Sequence, residues 1–301
     1  QLAAGAAGIT CQKLGEAEVM AEAGVGDILI ATNIIGAARS GRLTVLQRRM
    51  SLKICADNPV SLAAYAEAGH AADRPVNVLI ECDTGRKRAG VETPGEAVAL
   101  AKMVRDDSWL QFGGLLFYPP SDGWPATQQF LDTAREGLAD LGLIPEIIST
   151  GGTPNLVNLG RLEGATEHRA GTCIFNDRMM MAAGVAGIDD CALKIFTSVV
   201  SRGGDKRGIL DAGSKTFTSD TGGLDGFGLI LEHPEARIHN MAEEHGFLDL
   251  SDCERPPAVG DILRVVPNHV CVAVNMFDHL VAVRGNGIVD VLPVAARGRL
   301  V

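Results

Sequence analysis

The stretch "VNVLIECDTGRKRAGVETPGEAVALAKMVRDD" (76–107) carries the repeating unit of this chain. Residues 76–83 are a short apolar run of strand length. Residues 94–107 open on Pro94, which suits the first turn of a helix, and continue as a helical segment. "FGGLLFYP" (112–119) returns to a strand. Apolar strand, helix, apolar strand is the βαβ unit of a parallel sheet.

The same rhythm extends in both directions. Towards the N-terminus, strands are expected at 8–12, 27–33 and 52–58, and helices at 15–24, 42–50 and 61–72. Towards the C-terminus, helices are expected at 126–142 and 154–162, and strands at 145–150 and 167–177. The count is roughly seven strands. A closed (β/α)8 TIM-type barrel needs eight. Either the sheet is open and doubly wound, or a first strand lies upstream of Gln1. After about residue 190 the pattern becomes β-rich, punctuated by "RGG" (202–204), "TGG" (221–223) and "GNG" (285–287). The fold expected is α/β: a barrel short of its first strand over 1–188, then a smaller antiparallel β domain over 189–301.

Composition narrows the function. The chain has 301 residues, a formal net charge of −10 and no basic cluster, which argues against nucleic acid and an anionic membrane surface as partners. Its seven cysteines are irregularly spaced with no CxxC pair, the usage expected of reduced thiols in a cytoplasmic protein. No apolar run approaches a membrane span, and no signal peptide is visible.

Four stretches carry chemistry. "STGGTPN" (149–155) places Gly-Gly between hydroxyls at a strand-to-helix turn, a phosphate cradle or a steric turn. "ECDTGRKRAGV" (81–91) ends a strand, where Arg88 can meet an anionic oxygen or lie in a solvated basic turn. In "AGTCIFND" (170–177), Gly171 and Thr172 can close the phosphate site, or the segment is a buried strand. In "PNHVCVAVN" (267–275), read as a strand, His269 and Cys271 point to one face. Imidazole beside thiolate suits zinc, and two ligands leave positions open. A core cysteine beside a backbone-bonded histidine is the alternative.

With "GEAE", "DILIA", "DAGSKT" and "EEHG", these stretches give the chain its family likeness. It resembles the fold-type III pyridoxal-phosphate enzymes of the D-threonine aldolase and D-serine dehydratase group, in which an alanine-racemase-like barrel precedes a β domain. The resemblance covers nearly the whole chain. It implies pyridoxal 5'-phosphate held through Thr150, Gly151, Gly152 and Thr153, with Gly171 and Thr172. It implies Arg88 and Tyr118 lining the cofactor or substrate site, and a metal, zinc by its ligands, on His269 and Cys271. His245 in "EEHG" is a further polar candidate, or a surface histidine. A homodimer is expected on the same ground.

Two departures stand out. Cys173 occupies a position where the family commonly has tyrosine. The Schiff-base lysine belongs on the family's first barrel strand, and Lys13 matches no such position. The lysine is therefore expected upstream of Gln1, and the chain as written is expected to be inactive.

The resemblance implies a lyase acting on β-hydroxy-D-amino acids. The His/Cys pair favours dehydration to a 2-oxo acid and ammonia, with retro-aldol cleavage to glycine and an aldehyde as the alternative. A non-catalytic cofactor binder is a further alternative, suggested by the missing lysine. A racemase would need a tyrosine from the β domain, but the two tyrosines, Tyr65 and Tyr118, both fall in the barrel.

Overall fold

The structure is a computed structural model that describes residues 1–285 and 287–301; the centre of the expected "GNG" turn lies outside the described residues. Two compact units are present: Gln1–Ala170 with Gly298–Val301, and Gly171–Arg297.

In the first unit the strands are β1 (Ile9–Cys11), β2 (Ile28–Ile30), β3 (Lys53–Ala56), β4 (Val76–Cys82), β5 (Leu110–Phe117), β6 (Ile147–Gly151) and β7 (Glu167–Arg169). Helices α1 (Leu14–Glu22), α2 (Ala37–Arg49), α3 (Pro59–Ala72), α4 (Pro94–Asp106) and α5 (Trp124–Asp140) follow the first five strands. All seven strands pair parallel in chain order, forming a nearly closed barrel. The helix starts are written locally. Asn58 accepts from Ser61 N at 2.9 Å, and Thr93 and Glu96 form a reciprocal capping box, with proline at the next position in both helices.

Strand alternation separates the barrel's two faces. Ile28, Ile30, Ile54, Val78, Ile80, Leu115, Phe117 and Ile148 pack with the helices. The opposite face brings Leu29, Cys55, Leu79 and Leu116 together as a separate apolar layer inside. Two residues beyond Leu79 and Leu116 this inner face turns polar, with Glu81 and Tyr118, and Arg169 joins them from β7. The C-terminal mouth is therefore the barrel's chemical end.

The second unit has a six-stranded sheet in the order β10-β13-β8-β9-β12-β11. Its strands are β8 (Ile195–Arg202), β9 (Arg207–Leu210), β10 (Leu229–Ile230), β11 (Arg237–Met241), β12 (Gly246–Asp249) and β13 (Ile262–Val266), all antiparallel. A hairpin, β14 (His279–Arg284) and β15 (Gly287–Pro293), forms a second sheet. Short helices α6 (Arg178–Ala182), α7 (Ser214–Phe217) and α8 (Val270–Asn275) complete it. Ile195, Leu210, Phe217, Ile238, Leu248 and Val265 form its core.

Three local expectations are corrected. The strand expected over 167–177 stops at Arg169; Thr172–Ile174 is a 3-10 turn and Asp177 caps α6. Residues 154–162 hold a 3-10 helix, Thr153–Asn158, rather than an α-helix. Residues 267–275 are not a strand. β13 ends at Val266, Pro267 has no N–H to continue a ladder, and α8 begins at Val270. The units divide after Ala170, earlier than the boundary expected at 188, because the Thr172–Ala182 segment bonds to its own unit. For example, Arg178 N and Met179 N donate to Pro267 O and Asn268 O. Among the described residues no helix is long and apolar enough to cross a membrane.

Candidate functional site

In the barrel unit, β6 delivers the Gly-Gly turn. Gly152 has φ 98° and ψ 127°, a backbone conformation essentially reserved for glycine. A Cβ there would lie 2.6 Å from Tyr118 Oη, so the missing side chain also seats the Tyr118 ring. The following residue, Thr153, is 3% exposed, and its Oγ1 has no hydrogen-bond partner. A buried hydroxyl without a partner at this turn awaits an acceptor, and a phosphate oxygen supplies one.

Thr150 behaves differently. It shares the outward face of β6 with Ile148, and its Oγ1 lies 2.8 Å from His168 Nδ1. His168 Nε2 lies 3.1 Å from Gly152 O, which can only accept. The imidazole proton is therefore on Nε2, and the Thr150 hydroxyl donates to Nδ1. Burial pushes the His168 pKa down, in keeping with a neutral ring. The Thr150 side chain thus braces the cradle through His168. Gly151 faces inward, and a Cβ there would meet Arg169 Nη2 at 2.7 Å.

The loop after β4 presents Arg88. Asp83 ties the loop down by accepting from Gly85 N and Arg86 N on Oδ1, and from Arg88 N on Oδ2 at 3.0 Å. The guanidinium carbons of Arg86 and Arg88 lie over the Tyr118 ring at 5.0 and 4.7 Å. Tyr118, Gly152 and Arg88 thus form one packed group at the mouth.

Two charged residues of the inner face were not singled out from sequence. Glu81 is 4% exposed, and burial raises its pKa. Arg169 donates to Ser149 Oγ and, at 3.1 Å, to Phe117 O. Desolvation lowers its pKa, yet guanidinium stays charged at any ordinary pH. Their position in otherwise apolar strands, on the same parity as the inner layer, was the available signal.

In the second unit, His269 and Cys271 do come together, though not as strand neighbours. His269 caps α8 and Cys271 is its second residue. Asp177, fully buried, accepts on Oδ2 from His269 Nδ1 at 3.0 Å and from Val270 N at 3.0 Å. Its Oδ1 accepts from Met180 N at 2.9 Å. The carboxylate therefore keeps a proton on Nδ1, so that Nε2 is the nitrogen able to bind a metal once its own proton is lost. The hydrogen bond to Asp177 first, and that with Cys271 second, push the His269 pKa up to about 10. His269 in turn holds the Cys271 thiol below its ordinary value. A thiolate beside an oriented imidazole is a zinc donor set. Sequence reasoning missed Asp177, which sits at the end of a quoted motif but pairs 92 residues away.

Of the remaining candidates, Gly171 and Thr172 belong to the second unit. Thr172 Oγ1 lies 4.0 Å from Cys271 Sγ. His245 is exposed in the β11–β12 turn. Lys13 is exposed at the N-cap of α1. Among the described residues no three His, Cys, Asp or Glu side chains gather as a metal cluster. All seven cysteines are free thiols, and Cys173 and Cys271 are exposed.

Residues 1–179 match the profile "Alanine racemase, N-terminal domain", and residues 192–283 match "Putative serine dehydratase domain". D-threonine aldolase of an Arthrobacter species is 31% identical over 99% of this chain and 81% of its own length. D-threo-3-hydroxyaspartate dehydratase of Delftia sp. strain HT23 is 31% identical over 96% of this chain and 84% of its own. A cysteine-to-alanine variant of that dehydratase, solved in a metal-free form, superposes with a TM-score of 0.83 at 30% identity, covering 97% of this chain and 85% of that one. The D-threonine aldolase of Filomicrobium marinum superposes with a TM-score of 0.89 at 29% identity, covering 99% of this chain and 84% of that one.

Proposed function

Since the chain belongs to the family that joins an alanine racemase N-terminal domain to a serine dehydratase domain, a family of lyases, we propose that it is a pyridoxal-phosphate- and metal-dependent lyase of β-hydroxy-D-amino acids, acting as a dehydratase. The single observation carrying this reading is the Asp177–His269 hydrogen bond beside Cys271. It readies one nitrogen and one thiolate for a soft divalent metal, best matched by zinc.

The residues fit the cofactor as well. Thr153 Oγ1 is a buried donor without a partner, and Gly151 and Gly152 leave the backbone open to close approach. In this reading Gly171 and Thr172 add to the phosphate's donors. Arg88 and Tyr118 line the site, and Thr150 acts through His168 on the Gly152 carbonyl. When bound, pyridoxal phosphate supplies an electron sink for charge left at the substrate α-carbon, and the metal supplies Lewis acidity towards the β-hydroxyl. Asp177 holds the His269 ring in one tautomer. Arg88 offers a fixed positive charge to an anionic oxygen. A cytoplasmic homodimer completes the reading.

Aldol cleavage is the second reading. The observation favouring it is the 31% identity to the Arthrobacter D-threonine aldolase over nearly the whole chain.

The test is product analysis. The protein, as its gene encodes it, is given pyridoxal phosphate, zinc and D-threonine. 2-Oxobutyrate with ammonia is the expected result. Glycine with acetaldehyde replaces dehydration by aldol cleavage. Neither product refutes the lyase reading for this substrate.

A further inference from the structure

We propose that Glu81 is a positioning residue that holds the Arg88 guanidinium over Tyr118 at the barrel mouth, oriented towards an anionic oxygen of the cofactor. The proposal rests on the pyridoxal-phosphate reading of the barrel.

Glu81 stands on the inner face of β4, one turn of the pleat beyond Leu79, and is 4% exposed. A carboxylate removed from water to this degree is costly unless it is paired and hydrogen-bonded. Among the described residues two side chains pair with it, and the Arg169 charge adds a further attraction. Cys55 Sγ donates to Oε2 at 3.4 Å, and Arg88 Nη2 lies 3.8 Å from Oε1. Burial raises the carboxyl pKa, and the thiol bond and the Arg88 charge oppose that rise.

The other end of the pair explains what is gained. The Arg88 side chain is 54% exposed, and left to itself it would sample many rotamers. Its backbone is already tied by Asp83, so only the direction of the guanidinium remains to be set. Glu81 and the Tyr118 ring set it from two sides. Arg86 makes the contrast. It also overlies Tyr118, yet no carboxylate pairs with it among the described residues. Glu81 therefore selects one of two neighbouring arginines. Through Tyr118, which rests against Gly152, the pair is joined to the phosphate turn.

The test is a double-mutant cycle on cofactor binding. Wild type, Glu81→Gln, Arg88→Ala and the double variant are titrated with pyridoxal phosphate, following the cofactor's absorbance. The spectrum of the bound cofactor and the melting temperature are recorded for each. If Glu81 acts through Arg88, Glu81→Gln weakens binding by about tenfold when Arg88 is present and by less than about twofold when it is alanine. Both single variants then shift the bound spectrum in the same direction. Equal losses in both backgrounds, or no loss, overturn the proposal alone. Failure of wild type to bind overturns the reading of the barrel and this proposal with it. If Glu81→Gln does not fold, Arg88→Lys tests the exposed end: it keeps the charge but not the planar fork, and unchanged affinity and spectrum overturn the proposal.

Discussion

Replacing Gly152 by alanine is expected to damage the site and the barrel together. At φ 98° and ψ 127° an alanine pays about 1–3 kcal/mol of backbone strain. Its Cβ would also stand 2.6 Å from Tyr118 Oη, with two further ring carbons within 2.9 Å, so the ring must swing away. That motion forfeits the contacts of Arg86 and Arg88 with the ring, each worth about 0.5–1 kcal/mol. The expected destabilisation is about 2–5 kcal/mol. Urea unfolding followed by tryptophan fluorescence reads it out, because Trp109 and Trp124 are the chain's two tryptophans and both lie in the barrel unit. Gly171→Ala is the control. Its φ is −124° and nothing lies within 4 Å of an added Cβ, so a change within about 0.5 kcal/mol is expected. A Gly152→Ala protein as stable as wild type, with unchanged affinity for pyridoxal phosphate, would refute the reasoning.

Other expectations concern the metal pair and an interhelical ion pair. With its pKa near 10, His269 must give up a proton to bind zinc at pH 8, and Asp177→Asn should bring that pKa back towards 6.5. Zinc calorimetry should show weaker binding by the variant, because Asp177 orients the His269 ring; an unchanged affinity contradicts the pairing. Cys271→Asp should move the metal preference from zinc towards manganese or magnesium, measured by competition binding. Glu18 accepts from Arg42 at 2.7 and 2.6 Å, which lowers the carboxyl pKa from its ordinary 4.5. A carboxyl whose folded pKa is depressed adds stability above its unfolded pKa and loses it as pH falls through the folded value. Arg42→Ala should thus cost about 0.2–1 kcal/mol at pH 7. That cost should vanish below the folded pKa of Glu18, seen by comparing urea midpoints across pH.

Much of the barrel was legible because its signals are local. Pro59 and Pro94 at helix starts, the Thr93–Glu96 box and the apolar strands all act over a few residues. The corrected segments show where local signals ran out. "NHVCVAV" alternates well enough for a strand, but Pro267 ends the ladder and Asp177 receives the Val270 N–H, so a helix forms instead. "HRAGTCIFND" is apolar enough for one strand, yet Gly171 and the Asp177 cap break it into three pieces.

The chain's own sequence determined the alternating barrel, the antiparallel β unit and the motifs that mark its family, because periodicity, capping and turn chemistry are written within a few residues of where they act. The tertiary structure decided which partners those motif residues meet. Thr150 lies in the phosphate-cradle motif, and the parity of β6 turns its hydroxyl towards His168. Glu81 and Arg169 are brought to the inner face only by the folding of the barrel. The orientation of His269 came from Asp177, which is 92 positions away. Such pairings leave no trace in local pattern, because the hydrogen bond forms only after the chain has folded back on itself.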